Sequence, residues 1–199
     1  MRQKNMARSI EFDREEVIQK ALEIFWQEGY CNCSVSRLVE ATHLQPGSLY
    51  GAFKSKEGLF LAALNYYGQQ SITNLRLCLE SAATPLQGIR TFIEKIGESI
   101  VSGKRQCGCF LVNTMLEFSP EKDAIKQEVN KYFQDIESML RSALVSAHKA
   151  GELPPDRDPE ALAKYLMVSI WGLQVLAKTN PDEKSINSVI DQILSILTT

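Results

Sequence analysis

Apolar side chains recur every three or four positions over most of this 199-residue chain, the spacing that aligns one face of an α-helix. In DREEVIQKALEIFWQEGY, Val17, Ala21, Leu22, Ile24 and Phe25 share a stripe. Asp13, with Glu16 three residues on, suits the start and Gly29 the stop, so a first helix is expected over about 13–28. Ser34 then precedes VSRLVEA, where Val35, Leu38, Val39 and Ala41 keep the spacing for only about two turns. Thr42, His43 and Leu44 read as a turn, QPGSLYGAF as a second short helix opened by Pro46, and Ser55 as the cap of KEGLFLAALNYYGQQSITNLRLCLES. That long helix places Leu59, Phe60, Ala63, Leu64 and Tyr67 on its apolar side.

The same period continues to the C-terminus. TPLQGIRTFIEKIGESIVSG starts at Pro85, and GCFLVNTMLEF is short, mostly apolar and ended near Ser119 and Pro120. EKDAIKQEVNKYFQDIESMLRSALVSAHKAG is long, amphipathic and closed by Gly151. After the linker ELPPDRD come PEALAKYLMVSIWGLQVLAKTN and DEKSINSVIDQILSILTT. Neither an alternating strand pattern nor a repeat of roughly 20–50 residues stands out, so the expected fold is all-α, about nine helices, with a division near 55–60.

Composition narrows the setting. With 44% hydrophobic residues the chain can bury an ordinary core. No run reaches the roughly 18–20 uncharged apolar residues of a membrane span, and the start MRQKNMARSIEFD lacks the apolar stretch of a secretory signal. A cytoplasmic protein with no membrane partner is expected. Its five cysteines, Cys31, Cys33, Cys78, Cys107 and Cys109, are an odd number and are expected as thiols. The net charge of −2 argues against generic polyanion binding, but residues 1–56 hold eight Lys/Arg against seven Asp/Glu, and Arg2, Lys4 and Arg8 lie in a stretch without acids. Any nucleic-acid contact should therefore be N-terminal and local.

Two short helices joined by a tight turn let one helix cross a phosphate backbone while the next enters the major groove. A groove-reading helix benefits from small residues at the end nearest the bases and from a proline in its first turn. Here Leu49 and Phe53 can pack inward and leave Gln45, Ser48, Tyr50 and Gly51 outward, with Lys54 and Lys56 just beyond for phosphate. The plain alternative for Gly47 and Gly51 is a loop.

The segment over 12–64 resembles the DNA-binding domain of TetR/AcrR-type bacterial transcriptional regulators. The matching positions are Ala21, Phe25, Gly29, Tyr30, Ser34, Leu38, Val39, Ala41 and Leu44, then Gly47, Leu49, Tyr50, Phe53, Lys56, Glu57 and Leu59. The resemblance implies a DNA-binding domain at 12–58 with its helix-turn-helix at about 34–53, a basic flexible arm at 1–11, and a ligand-binding and dimerisation domain at 59–199. It implies Ser34 and Ser36 near the DNA backbone, Gln45, Pro46, Gly47 and Ser48 at the groove, and Tyr50 and Lys56 on phosphates. Arg8, with Arg2 and Lys4, matches an arm that some members lay against DNA; the alternative is a solvated tail. Many members carry an aromatic and a histidine after Tyr50, where this chain has Gly51 and Ala52, so base readout rests more on Gln45 and Ser48. The implied function is a ligand-responsive repressor, a homodimer on double-stranded operator DNA, released by a small-molecule or reactive effector, without a cofactor.

One reading head contacts few base pairs, so two-fold doubling is expected. Leu162, Tyr165, Leu166, Ser169, Leu173 and Leu176 form one stripe, and Ile186, Val189, Ile190, Ile193, Leu194 and Leu197 another, together sufficient for an intersubunit four-helix bundle. An intramolecular core is the alternative. The effector pocket implied by the resemblance has candidate walls in Phe92, Ile96, Cys109, Phe110, Met115, Phe118, Phe133 and Trp171. Cys31-Asn32-Cys33 and Cys107-Gly108-Cys109 lack the spacing and further ligands of a metal site, so no metal is expected. For Cys107 and Cys109, oxidant or electrophile sensing and plain packing both stay open. GxSxG, HExxH and GxxxxGKS are missing, which argues against an enzyme. A protein-interaction adaptor accounts for the amphipathic helices but not for the small-residue helix with flanking lysines.

Overall fold

The computed structural model describes residues 12–103, 106–118 and 123–197; Arg2, Lys4 and Arg8 of the expected arm, with Ser119 and Pro120, lie outside them. Among the described residues the chain forms nine α-helices and no strand: α1 (Arg14–Asn32), α2 (Val35–Thr42), α3 (Pro46–Phe53), α4 (Lys56–Ser81), α5 (Pro85–Val101), α6 (Phe110–Glu117), α7 (Asp123–Lys149), α8 (Pro159–Ala177) and α9 (Glu183–Ser195). No helix among these residues is long and apolar enough to cross a membrane.

Local chemistry sets the ends. The Asp13 carboxylate accepts from the backbone N–H of Glu15 at 2.8 Å and of Glu16 at 3.3 Å, satisfying first-turn donors that have no partner within the helix. Ser34, Thr84, Asp158 and Asp182 cap α2, α5, α8 and α9 in the same way, and the Ser185 N–H holds the Asp182 carboxyl below its usual range. Gly29 has φ 79° and ψ 170°, so the continuous turn of α1 breaks there and a short separate turn carries it to Asn32.

The chain divides into two compact units between Tyr66 and Tyr67. In the first, α2 packs against α1 and α3, and Ala21, Phe25, Leu38, Leu49, Leu59 and Phe60 are buried. Phe25 and Tyr30 each meet the Phe60 ring edge-on at 5.0 Å, an aromatic geometry that tethers α4 to α1. In the second, α7 packs most extensively on α8, and α5 lies against α7, α8 and α9.

That packing bears on the residues expected at the interface. Leu162, Leu166 and Leu173 of α8, Ile186, Ile190, Ile193 and Leu194 of α9, and Leu197 are buried within their own chain. Their apolar faces are covered by α5 and α7, a partner that periodicity alone does not distinguish from a second subunit. Ser169 and Leu176 are half-buried, whereas Tyr165 and Val189 stay 40% and 37% exposed. The open face of α8 carries Tyr165, Val168, Gly172 and Val175, with Val168 61% and Val175 48% exposed.

Candidate nucleic-acid interface

The turn between α2 and α3 is built by one hydroxyl and one backbone twist. The buried Thr42 Oγ1 donates to the Leu38 carbonyl at 2.6 Å and accepts from the Leu44 N–H at 3.4 Å. His43 takes the left-handed conformation at φ 59°, which ends α2 and redirects the chain. Gln45 then precedes α3 in extended backbone, and its carbonyl accepts from Ser48 and Leu49, each at 3.0 Å. Its side chain makes no capping hydrogen bond, and Pro46 supplies the first helical φ without needing a donor partner.

Behind α3 the contacts are close. Leu49 and Phe53 are buried, the Arg14 guanidinium lies 4.8 Å from the Phe53 ring centre, and a Cβ at Gly58 would come within 2.0 Å of the Phe53 carbonyl oxygen. In front the surface is open. Gln45, Pro46, Gly47, Tyr50 and Gly51 are exposed and Ser48 is half-buried. A Cβ at Gly47 or Gly51 would meet nothing within 4 Å, so the chain's own packing does not require either glycine.

The flanking charges differ in freedom. Lys54 is exposed and ends α3 at φ 70°, its N–H bonded to the Tyr50 carbonyl at 2.8 Å and its ammonium donating to the Gly51 carbonyl at 3.4 Å. Lys56 is half-buried; its ammonium lies 4.4 Å from the Tyr30 ring centre and donates to the Tyr30 carbonyl. It therefore anchors the end of α1, and its other N–H donors are what a phosphate could use. The Ser34 side chain is engaged as a cap, and Ser36 is exposed. Arg14 and Arg37 were not among the expected site residues. Arg37 Nε meets Glu28 at 3.0 Å and its Nη1 meets Glu40 at 2.8 Å; these bonds, Glu28 first, raise its pKa further. Arg37 is an exposed cation already shared with two carboxylates. No spacing rule links Glu28 to Arg37 across a helix break, which is why sequence reading passed over it.

The cysteines near this surface are unlike each other. Cys31 is exposed, while Cys33 is buried and its thiol is pushed up to about 11 by burial, which favours the inert protonated form. No group of three His, Cys, Asp or Glu among the described residues could hold a metal.

A second candidate site lies inside the C-terminal unit, a cavity of about 50 Å³. Of the expected walls, Phe92, Ile96, Cys109, Phe133 and Trp171 line it, with the Phe133 and Trp171 rings 4.9 Å apart. Phe110, Met115 and Phe118 do not line it. Successive residues of α6 face different neighbours: Phe110 turns to the Tyr67 ring at 5.9 Å, and Leu111 reaches the cavity instead. Sequence reading missed Tyr67, Ser71 and Asn74 on α4 and Met167, Ile170 and Gln174 on α8. Their helical spacing along α4 and α8 was a usable signal. Cys107 lies off the wall, its carbonyl accepting from Asn113 Nδ2 at 2.7 Å.

Comparison with known proteins bears on both sites. Residues 17–63 match the family model for bacterial regulatory proteins of the tetR family. Residues 85–193 match the model for the Tetracyclin repressor-like C-terminal domain. The chain is 30% identical over 178 residues to the HTH-type transcriptional repressor ComR of Escherichia coli (strain K12), covering 88% of this chain and 84% of ComR. It is 28% identical over 193 residues to the HTH-type transcriptional regulator YezE of Bacillus subtilis (strain 168), covering 96% and 100%. Among solved structures, a cysteine mutant of the TetR family regulator CifR, complexed with 26-bp double-strand operator DNA, superposes with a TM-score of 0.84 at 30% identity, covering 93% of this chain and 96% of that one.

Proposed function

The chain belongs to the TetR family of bacterial transcriptional regulators, and from that premise we propose that it is a cytoplasmic repressor which binds a palindromic operator as a homodimer, with α3 in the major groove. The observation that carries this reading is the open front of α3. A glycine inside a helix costs about 0.5–1 kcal/mol relative to alanine, and Gly47 and Gly51 have no internal packing to require them. Close approach of bases to the helix backbone supplies the missing reason. Gln45 and Ser48 then face base edges, Tyr50 and Lys54 meet phosphate oxygens, and Lys56 positions the same edge from Tyr30. Arg8, Ser34 and Ser36 extend the contact to the backbone. The domain roles follow the family: the N-terminal unit binds DNA, and the C-terminal unit binds the effector and dimerises.

The dimer forms through the open face of α8, together with the exposed Val189 of α9. Tyr165, Val168 and Val175 are exposed apolar side chains at helical spacing, and Gly172 allows close approach because a Cβ there meets nothing. Two reading heads fixed one groove repeat apart, roughly 34–36 Å or a multiple, then engage two half-sites. The effector enters the cavity walled by Phe92, Phe133 and Trp171, and it releases DNA by favouring a spacing of the heads that the operator does not match. Cys109, on the cavity wall, is the thiol through which a reactive effector would act.

The test is selection of bound fragments from randomised duplex DNA. The expected result is an inverted repeat, bound with log K falling linearly as log salt rises. Absence of any enriched sequence would refute operator binding and favour the adaptor reading.

A further inference from the structure

Gln174 lies on α8 in the wall of the internal cavity and is only 3% exposed. Its Oε1 is buried and has no hydrogen-bond partner among the described residues. Leaving a buried acceptor unsatisfied costs about 1–3 kcal/mol, and a leucine or methionine there would avoid the cost. The position is also held in place. Gly108, at φ +74°, sits so close to the Gln174 backbone carbonyl that a Cβ would come within 2.7 Å of it. The turn carrying Gly108 is itself tied down, Asn113 donating to the Cys107 carbonyl and Lys178 Nζ to Asn113 Oδ1 at 3.3 Å.

The remaining walls define what could satisfy that oxygen. No Asp, Glu, Lys, Arg or His is among the described lining residues, so an ionised group entering the cavity would lose hydration without a counter-charge. Aromatic and branched side chains such as Phe92, Phe133, Ile136 and Trp171 offer dispersion contacts to an apolar body. The cavity is small, about 50 Å³, which favours a compact body over a large one.

We infer that Gln174, beside the polar wall residues Ser71 and Asn74, is a specificity-determining polar group of the effector cavity, and that the effector class it selects is a small uncharged molecule bearing a hydroxyl donor, an aliphatic alcohol in the simplest case. The alcohol O–H donates to Gln174 Oε1 while its chain lies among the rings. This deepens the effector reading above and rests on it.

The experiment titrates the full-length protein with 1-butanol, with its isomer methyl propyl ether, which lacks the donor, and with butyrate. Cavity occupancy is read from the methyl resonance of Met167, another wall residue, and operator release is followed in parallel. The expected result is saturable binding of butanol about tenfold tighter than the ether, with butyrate excluded. Gln174→Met, close in shape but without the amide, should fold with unchanged or raised Tm, bind the ether as before and lose the preference. Equal binding of butanol and ether, or a preference that survives in Gln174→Met, would overturn the role of Gln174 while leaving the cavity an effector site. If no probe perturbs Met167, the effector reading of the cavity itself falls, and the proposal with it.

Discussion

On α3 a Cβ added at Gly47 or Gly51 would meet nothing within 4 Å, and on α8 the same holds at Gly172. Inside the C-terminal unit the opposite holds: a Cβ at Gly68 would lie 2.6 Å from the Tyr132 ring, and at Gly97 2.1 Å from Ile190. The interior glycines are required by their own chain. The open ones lower helix stability with no gain in the free protein, so their reason lies in what approaches from outside. The two open faces also differ from each other. Around Gly47 and Gly51 the neighbours are Gln45, Ser48, Tyr50 and Lys54, whereas around Gly172 they are Tyr165, Val168 and Val175. Polar donors with a lysine match the edges and phosphates of DNA; an apolar stripe matches another apolar surface.

The largest expected effect breaks the apolar face. Val168→Glu should leave helix content unchanged yet give a monomer in sedimentation velocity, and operator affinity should drop about 100-fold or more as the second reading head is lost. An intact dimer would remove α8 from the interface. An interior glycine comes next. Gly68→Ala should cost about 1–3 kcal/mol in urea denaturation, because the Tyr132 ring must shift to admit the methyl; unchanged stability would erase the distinction between the two sets.

The lysines sharpen the polar face. Lys54→Gln should reduce the salt slope of operator binding by about one, with stability unaffected. Lys56→Met should instead cost about 1–2 kcal/mol of stability, since it removes the bond to the Tyr30 carbonyl and the contact with its ring. Similar stability losses in the two variants would contradict the separate roles.

The smallest effect is a pH dependence away from either face. Burial pushes the Cys33 thiol up from 9.0 to about 11 in the folded chain, so the folded state favours the protonated form. Its contribution to stability is present below the unfolded value and lost as pH rises through the folded one. Denaturation at about pH 8 and about pH 10.5 should show a decline that is smaller in Cys33→Ala; an equal decline in both would refute it.

Most of the N-terminal unit was legible in the sequence, because its signals are local. Asp13, Ser34 and Ser55 mark helix starts by side chains that reach only two or three residues, and Leu49 with Phe53 fixes which side of α3 is inward. The role of Lys56 as an anchor was not legible, since Tyr30 lies far from it in sequence. In the C-terminal unit the helices were equally plain, but which side faces which partner was not. Leu166 and Leu173 repeat as an interface stripe would, yet α5 and α7 cover that side, while Val168 and Val175 mark the open one. Gln174 reads as a surface residue until the fold buries it against Gly108.

That α3 reads DNA through its open face is tested most directly by titrating the selected operator with Gly51→Leu beside urea denaturation of the same variant. The expected result is an operator affinity at least about tenfold weaker, from bulk placed against the bases, together with a stability raised by roughly 0.5–1 kcal/mol as a helical glycine is replaced. Unchanged operator affinity in a variant that folds normally would contradict it, because the face carrying Gly51 would then not meet the groove.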